Sequence, residues 1–276
     1  MTDQYAVIGN PIEHSKSPRI HAAFASQTEQ DIHYDKLFVE QGCLAKAIAD
    51  FRLQGGKGLN ITVPFKNAAF DLADSLTERA QLAGAVNTLV LNDDGTLHAD
   101  NTDGIGLVRD LTINHGFNLK GAQILLLGAG GAVQGVLLPL LQQQPAEIII
   151  ANRTVSKAEA LCEKFSEYGK LSASSFEALK GKSFDGIING TAASLQGDVP
   201  PLPDNILNDD SWCYDMMYSA DPTPFMVWGS AQGAGEVADG LGMLVEQAAE
   251  SFKIWRGAEP ETAAVIGAIR AELHGD

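Results

Sequence analysis

Cysteine is scarce and scattered: Cys43, Cys162 and Cys213 stand far apart, and none belongs to a Cys-x-x-Cys pair. This odd, widely spaced set suits reduced thiols in a cytosol better than a disulfide framework. The six histidines form no His-Glu-x-x-His or other metal-ligand spacing, so no metal site is expected. Basic residues are few. Lys and Arg number 19 against 35 Asp and Glu, a formal net charge of −16. That charge repels nucleic acid and anionic membranes at long range, but it leaves room for a small anionic ligand held by local cations. The opening Met1-Thr-Asp-Gln-Tyr5 does not read as a signal peptide, and a cytoplasmic location is expected. The uncharged stretch from Gly121 to Ala146 is long enough for a membrane span, yet Gly128, Gly130, Gly131, Gln134, Gly135 and Pro139 interrupt it. It reads as a buried strand, a glycine turn and a buried helix, with Pro139 expected to kink the helix.

The chain has 276 residues, 45% of them hydrophobic, enough for two modest domains or one large one, with a sizeable core. Tyr5–Gly9, His33–Val39 and Gly58–Val63 read as strands. Helices are expected from Pro18, capped by Ser17, over Cys43–Leu53 and through Asn67–Ala73. Ala85–Leu91 and Thr96–Thr102 flank Asp93-Asp94-Gly95, a hairpin signal. A two-residue Asp94-Gly95 turn sets Asn87 opposite Thr102 with Asp103 one step beyond, and a register one residue away stays open. After Gly104 a helix is expected over Ile105–His115. Strands at Gln123–Leu127, Glu147–Ala151, Phe184–Asn189 and Trp212–Met216 then alternate with helices at Ala132–Leu141 and Val155–Phe165. This spacing predicts an α/β fold with a parallel doubly wound sheet of the Rossmann type. Helices at Leu241–Trp255 and Pro260–Leu273 close the chain.

The turn Gly128-Ala129-Gly130-Gly131-Ala132 follows an apolar strand and precedes a helix. Gly128 permits a tight turn, Gly130 lets backbone N–H groups approach a pyrophosphate, and the helix N-terminus favours the charge. The third small residue of the fingerprint is replaced by Val133, which is expected to loosen helix–strand packing or to shift the helix slightly. A glycine-rich turn without a ligand is the plainer alternative. The next strand ends in Asn152-Arg153-Thr154, with Lys157 one turn on, where an NAD site would place an acidic residue. A guanidinium there can pair with a 2′-phosphate, which favours NADP. The plainer alternative makes Thr154 a helix cap beside a surface arginine.

Three polar clusters fall at strand ends: Ser15 with Ser17, Thr62 with Lys66, and Asn87 with Asp103. Hydroxyls, an amide, a carboxylate and an ammonium suit a polyhydroxylated ring bearing a carboxylate, bound outside the carboxyl ends of the strands. Taken singly, each has a structural reading as a cap, a solvated helix start or a hairpin brace.

Tyr5-Ala-Val-Ile-Gly-Asn-Pro-Ile-Glu-His-Ser-Lys-Ser-Pro18, Asn60-Ile-Thr-Val-Pro-Phe-Lys66, Gly84-Ala-Val-Asn-Thr88 and Asp100-Asn-Thr-Asp-Gly104 together resemble the shikimate dehydrogenase family. So do Gly128–Ala132, Asn152–Thr154 and Asp239-Gly-Leu-Gly-Met-Leu-Val-Glu-Gln-Ala248. The resemblance implies NADPH-dependent reduction of 3-dehydroshikimate to shikimate, in chorismate and aromatic amino acid biosynthesis. It implies Lys66 and Asp103 as the catalytic pair, and Ser15, Ser17, Thr62, Asn87, Tyr218 and Gln247 as further substrate contacts. It places Gly128, Ala129, Gly130, Gly131, Ala132, Asn152, Arg153, Thr154, Lys157, Thr191, Met216 and Gly240 along NADP. Glu78 aligns with a position sometimes assigned to the cofactor, without a physical reason. Asn189-Gly190-Thr191 departs from the family's common Asn-Ala-Thr. The resemblance also implies a substrate domain of residues 1–103 with 240–276 and a cofactor domain of residues 104–239.

Carbonyl reduction needs a proton donor. Lys66 is the best candidate, because no Tyr-x-x-x-Lys pair is present. Oxidation, which needs the free amine, is expected to speed up at alkaline pH. Two alternatives stay open: a quinate/shikimate dehydrogenase with relaxed substrate or NAD use, and a non-catalytic nucleotide-binding regulator on the same fold. Ser15, Ser17 and Arg153 favour the narrower enzyme. A homodimer is an open assembly state that no residue selects.

Overall fold

Strand–helix alternation becomes two six-stranded sheets in the computed structural model, which describes residues 2–275. The chain packs as two units. The first holds the residues up to Gly106 with Val245–Ile269, and the second holds Leu107–Leu244 with the residues from Arg270 on.

The first unit contains β1 (Asp3–Gly9), α1 (Ser17–Gln27), β2 (Ile32–Phe38), α2 (Leu44–Leu53), β3 (Gly56–Ile61), α3 (Lys66–Leu72), β4 (Ser75–Leu76), α4 (Glu78–Ala83), β5 (Thr88–Leu91) and β6 (Leu97–Asp100). The sheet order is β2-β1-β3-β5-β6-β4. β1 runs parallel to β2 and β3, whereas β5 runs antiparallel to both β3 and β6. The ends of β1, β3 and β6 and the start of β5 therefore share one sheet edge. Ile8, Leu59, Ile61, Val86, Leu89 and Ala99 form the core beneath it.

Two local expectations are corrected here. Ser17 does not cap α1; it is the first helical residue, and Lys16 holds the cap position without a side-chain bond. The Ser15 hydroxyl takes the Ser17 N–H instead, at 3.3 Å. The hairpin register moves by one, so Leu91 faces Leu97 and Thr88 faces Asp100. Its loop has three residues, Asp93-Asp94-Gly95, because Gly95 adopts a left-handed φ of 92° and Asp94 accepts both the N–H and the hydroxyl of Thr96.

α5 (Asp103–Arg109) starts two residues earlier than expected and continues as a π-helical turn, Asp110–Asn114. There follow β7 (Gln123–Leu127), α6 (Gly131–Gln142), β8 (Glu147–Ala151), α7 (Val155–Lys164), β9 (Leu171–Ser174), β10 (Phe184–Asn189), β11 (Leu207–Asp215), α8 (Pro224–Ala231), β12 (Glu236–Asp239), α9 (Leu241–Arg256) and α10 (Ala263–His274). The second sheet is wholly parallel, ordered β12-β11-β10-β7-β8-β9. Its central strands are continuous apolar runs because both faces are covered by helices. The strand order reverses between β7 and β10, the crevice where such sheets bind nucleotides. α6 runs through Pro139 and ends only at Gln142. Among the described residues, no helix is long and apolar enough to cross a membrane.

His21 lies fully buried in the first unit, its ring stacked on Tyr34 at 4.1 Å and close to Phe24, Phe252 and Trp255. Neither ring nitrogen has a hydrogen-bond partner. Burial pushes the imidazole from 6.5 down to about 3, with the neighbouring Asn60 amide opposing this. In the unfolded chain the ring takes a proton below its ordinary value, while the folded state does not until about pH 3. Stability held by the neutral ring is thus complete above pH 6.5 and falls as the pH drops toward 3. Between pH 7 and pH 5 the chain should lose about 2 kcal/mol from this group. Urea unfolding of the parent and His21→Phe at both pH values checks it: the variant should lose that part of the slope, and equal slopes would contradict the assignment.

Candidate active site

Four segments converge on the shared edge of the first sheet. Lys66 opens α3 just after β3, and Asp103 opens α5 just after β6. The Lys66 Nζ lies 2.5 Å from Asp103 Oδ2, and the side chains are 28% and 16% exposed. Asn87, just before β5, donates from Nδ2 to the other Asp103 oxygen at 2.8 Å. Its amide orientation is fixed by the Thr102 N–H, which can only donate and reaches Asn87 Oδ1 at 2.9 Å. Gln247 on α9 accepts from Asn87 Nδ2 at 3.2 Å, so a residue 160 positions away joins the cluster. Thr62 is half-buried at the end of β3 and donates its N–H to Ile8. Gly9 makes room for it, since a Cβ there would lie 2.6 Å from Thr62 Cγ2. Ser15 and Ser17 sit on the loop and first turn after β1, half-buried and buried respectively.

Sequence reasoning missed the polar layer behind this cluster. The Tyr34 hydroxyl donates to Asn60 Oδ1 at 2.7 Å, and Asn60 Nδ2 reaches the Asn87 carbonyl, Thr88 and Ser251. Thr88 in turn donates to Asn87 Oδ1 at 2.8 Å. On the other side, the Arg79 guanidinium pairs with both oxygens of Asp100 and with Glu250. Asp100 takes the Asn101 N–H, and Asn101 Oδ1 takes the Asp103 N–H at 3.1 Å. The run Asn101–Asp103 is therefore held from both ends. Asn60, Thr88, Asp100 and Asn101 fall within the family motifs, which was the signal available for them, whereas Tyr34, Arg79, Glu250 and Ser251 lie outside those motifs.

In the second unit the expected cofactor residues fall at the carboxyl ends of five adjacent parallel strands. Gly128 follows β7, Asn152 follows β8, Thr191 lies just past β10, Met216 follows β11 and Gly240 follows β12. Gly128 has a φ of 102°, in the region that favours glycine. Gly130 caps α6 without a side chain, and a Cβ added at Gly130 or Gly131 would meet nothing within 4 Å. Ala129 and Ala132 complete a turn whose outer surface is open to an anion. Gly240 closes against Met216, whose carbonyl oxygen would lie 2.3 Å from an added Cβ.

Arg153, Thr154 and Lys157 are exposed beyond β8, while Asn152 donates to the Thr154 carbonyl at 2.8 Å. Thr154 occupies the cap position of α7 but makes no side-chain cap bond. Thr191 donates its N–H and hydroxyl to Asn189 Oδ1 at 3.1 and 2.7 Å. Asn189 passes this order on to the buried Asp215, which also accepts from Ser194 and the Met217 N–H. Burial pushes the Asp215 carboxyl up, against the pull of those donors.

Tyr218 follows β11 in this second unit, with burial raising its hydroxyl above the ordinary value. Glu78 opens α4 in the first unit, where a carboxylate complements the helix N-terminus. No group of three or more potential metal ligands occurs among the described residues.

Comparison with known proteins bears on this geometry. The family model described as the shikimate dehydrogenase substrate binding domain matches residues 7–89. Those described as shikimate / quinate 5-dehydrogenase and as the shikimate 5′-dehydrogenase C-terminal domain match residues 111–196 and 240–270. A shikimate dehydrogenase (NADP(+)) of Cellvibrio japonicus is 57% identical over 99% of each chain. The structure of an Ael1 enzyme from Pseudomonas putida superposes with a TM-score of 0.93 at 49% identity, covering 96% of this chain and 97% of that one. A shikimate 5-dehydrogenase from Thermus thermophilus, solved with NADP(H) and shikimate, gives a TM-score of 0.86 at 31% identity, covering 98% of this chain and all of that one.

Proposed function

The chain belongs to the shikimate dehydrogenase family, and on that premise we propose that it interconverts 3-dehydroshikimate and shikimate with NADP(H) in the cytoplasm. The reaction is a step toward chorismate and the aromatic amino acids. The observation that supports it most is the Lys66–Asp103 ion pair, braced by Asn87 at the edge where three strands end.

NADPH, when bound, supplies the hydride for the carbonyl carbon. Lys66 carries three N–H donors and commits one to Asp103, which leaves others for a ligand oxygen. As general acid, the ammonium gives a proton to the carbonyl oxygen that becomes the alcohol. In the oxidative direction the free amine takes the hydroxyl proton back. Asp103 keeps lone pairs to accept from a ring hydroxyl and orients Lys66. Ser15, Ser17, Thr62, Asn87, Tyr218 and Gln247 contact the substrate.

The cofactor fits the second unit because the α6 N-terminus is open and uncapped by any side chain. Gly128, Ala129, Gly130, Gly131 and Ala132 would hold the pyrophosphate. Asn152, Arg153, Thr154 and Lys157 would hold the adenosine ribose and its 2′-phosphate. Thr191, Met216 and Gly240 would line the remainder. The proposed division gives substrate binding to residues 1–103 with 240–276 and cofactor binding to residues 104–239.

Initial rates with shikimate or quinate, each with NADP⁺ or NAD⁺, test the proposal through the near-ultraviolet absorbance of reduced nicotinamide. Shikimate with NADP⁺ should be the fastest pair. Quinate with NAD⁺ matching it would make the chain a quinate/shikimate dehydrogenase, and no turnover with any pair would leave only a nucleotide-binding regulator.

A further inference from the structure

Val133, which departs from the general nucleotide-binding fingerprint, and Gly190, which departs from the family's common Asn-Ala-Thr, meet in space. Gly190 follows β10 and donates its N–H to the Leu127 carbonyl at 2.9 Å, which ties the Thr191 turn to the end of β7. A Cβ added at Gly190 would lie 2.4 Å from Val133 Cγ2 and 3.2 Å from both the Leu127 oxygen and Met216 Sδ. The φ of Gly190 lies outside the left-handed region, so glycine is needed there for space and not for backbone freedom. Val133 is fully buried in the first turn of α6 and fills the place that the missing side chain leaves. The expected looseness of packing at Val133 is therefore absent.

We infer that Val133 and Gly190 form a matched pair that seats the Thr191 turn against the phosphate-binding turn, which makes Gly190 a positioning residue for the cofactor. The inference rests on the reading of this edge as the NADP site. A Cβ added at Gly128 would lie 3.3 and 3.2 Å from the Gly190 carbonyl oxygen and Thr191 Cγ2, so the two turns approach closely enough to leave little room for a side chain between them. A methyl at 190 has three neighbours to displace. Leu127 offers only backbone, and Met216 is itself buried at the same edge. Either the start of α6 moves with Val133, or the 190–194 turn moves with Thr191. Both shift groups proposed to touch NADP, and neither involves Lys66, Asn87 or Asp103.

The test compares the parent, Gly190→Ala, Val133→Ala and the double variant. Gly190→Ala should raise the KM for NADPH about tenfold, with the KM for 3-dehydroshikimate changed less than about twofold. The double variant should return the KM for NADPH to within about threefold of the parent, because the shortened side chain vacates the space. An unchanged KM for NADPH in Gly190→Ala, or a double variant no better than that single one, would overturn the pairing. If Gly190→Ala does not fold, the double variant decides: a folded, active double supports the pair, and an unfolded one refutes it. Thermal unfolding of the cofactor-free variants reads the same non-additivity, so the pairing stays testable even if the parent turns over no shikimate.

Discussion

Lys66→Met should lower kcat by roughly 10²–10⁴-fold while KM values move far less. Methionine keeps the length and apolar stem of lysine but brings no proton to the alcohol oxygen. Asp103 would lose the ammonium at 2.5 Å yet keep the Asn87 amide at 2.8 Å, so the carboxylate stays partly satisfied and the edge of the sheet keeps its shape. The Lys66 side chain is 28% and that of Asp103 16% exposed, so the unpaired carboxylate costs some stability, which the Asn87 amide limits. A loss in kcat without a comparable fall in melting temperature is therefore the signature of a proton donor. Parent-like turnover would remove Lys66 from the chemistry.

The second large effect is expected in cofactor choice. Arg153→Ala should raise the KM for NADPH roughly 10–100-fold and leave the KM for NADH nearly unchanged. Arg153 is exposed beyond the end of β8, where an acidic residue would serve a free ribose hydroxyl and a guanidinium serves a phosphate. Lys157, one turn along α7, keeps some positive charge nearby, so the loss should stop short of abolishing binding. Steady-state kinetics with both reduced cofactors checks it. Equal rises for NADPH and NADH would mean that Arg153 supports the adenosine without reading its phosphate.

β7 and β8, which precede the glycine turn and Asn152-Arg153-Thr154, were readable from sequence, because a buried parallel strand is a continuous apolar run. β12, four residues ending in aspartate, and β9, Leu171-Ser-Ala-Ser174, carry no such mark. Their strand character comes from pairing with β11 and β8. The hairpin signal was real, yet the three-residue loop that Asp94 stabilises shifted its register by one. Asn87 still reaches Asp103, because its side chain spans the difference.

Lys66, Asn87 and Asp103 stood out as polar residues at strand ends. Asn60, Thr88 and Ser251 did not, because they pair with one another inside the fold and no periodicity announces them. Asn60 and Ser251 stand 191 residues apart and meet at 3.0 Å. Likewise, Val133 and Gly190 each looked like an isolated departure until their contact was seen.

The central claim is that Lys66 and Asp103 act as one unit on the reacting oxygen. The direct measurement is kcat for Lys66→Met, Asp103→Asn and the double variant, taken with 3-dehydroshikimate and NADPH at saturation. Acting together, the pair should make the double variant about as slow as the worse single one. Losses that multiply would show two residues working separately, and would contradict the claim.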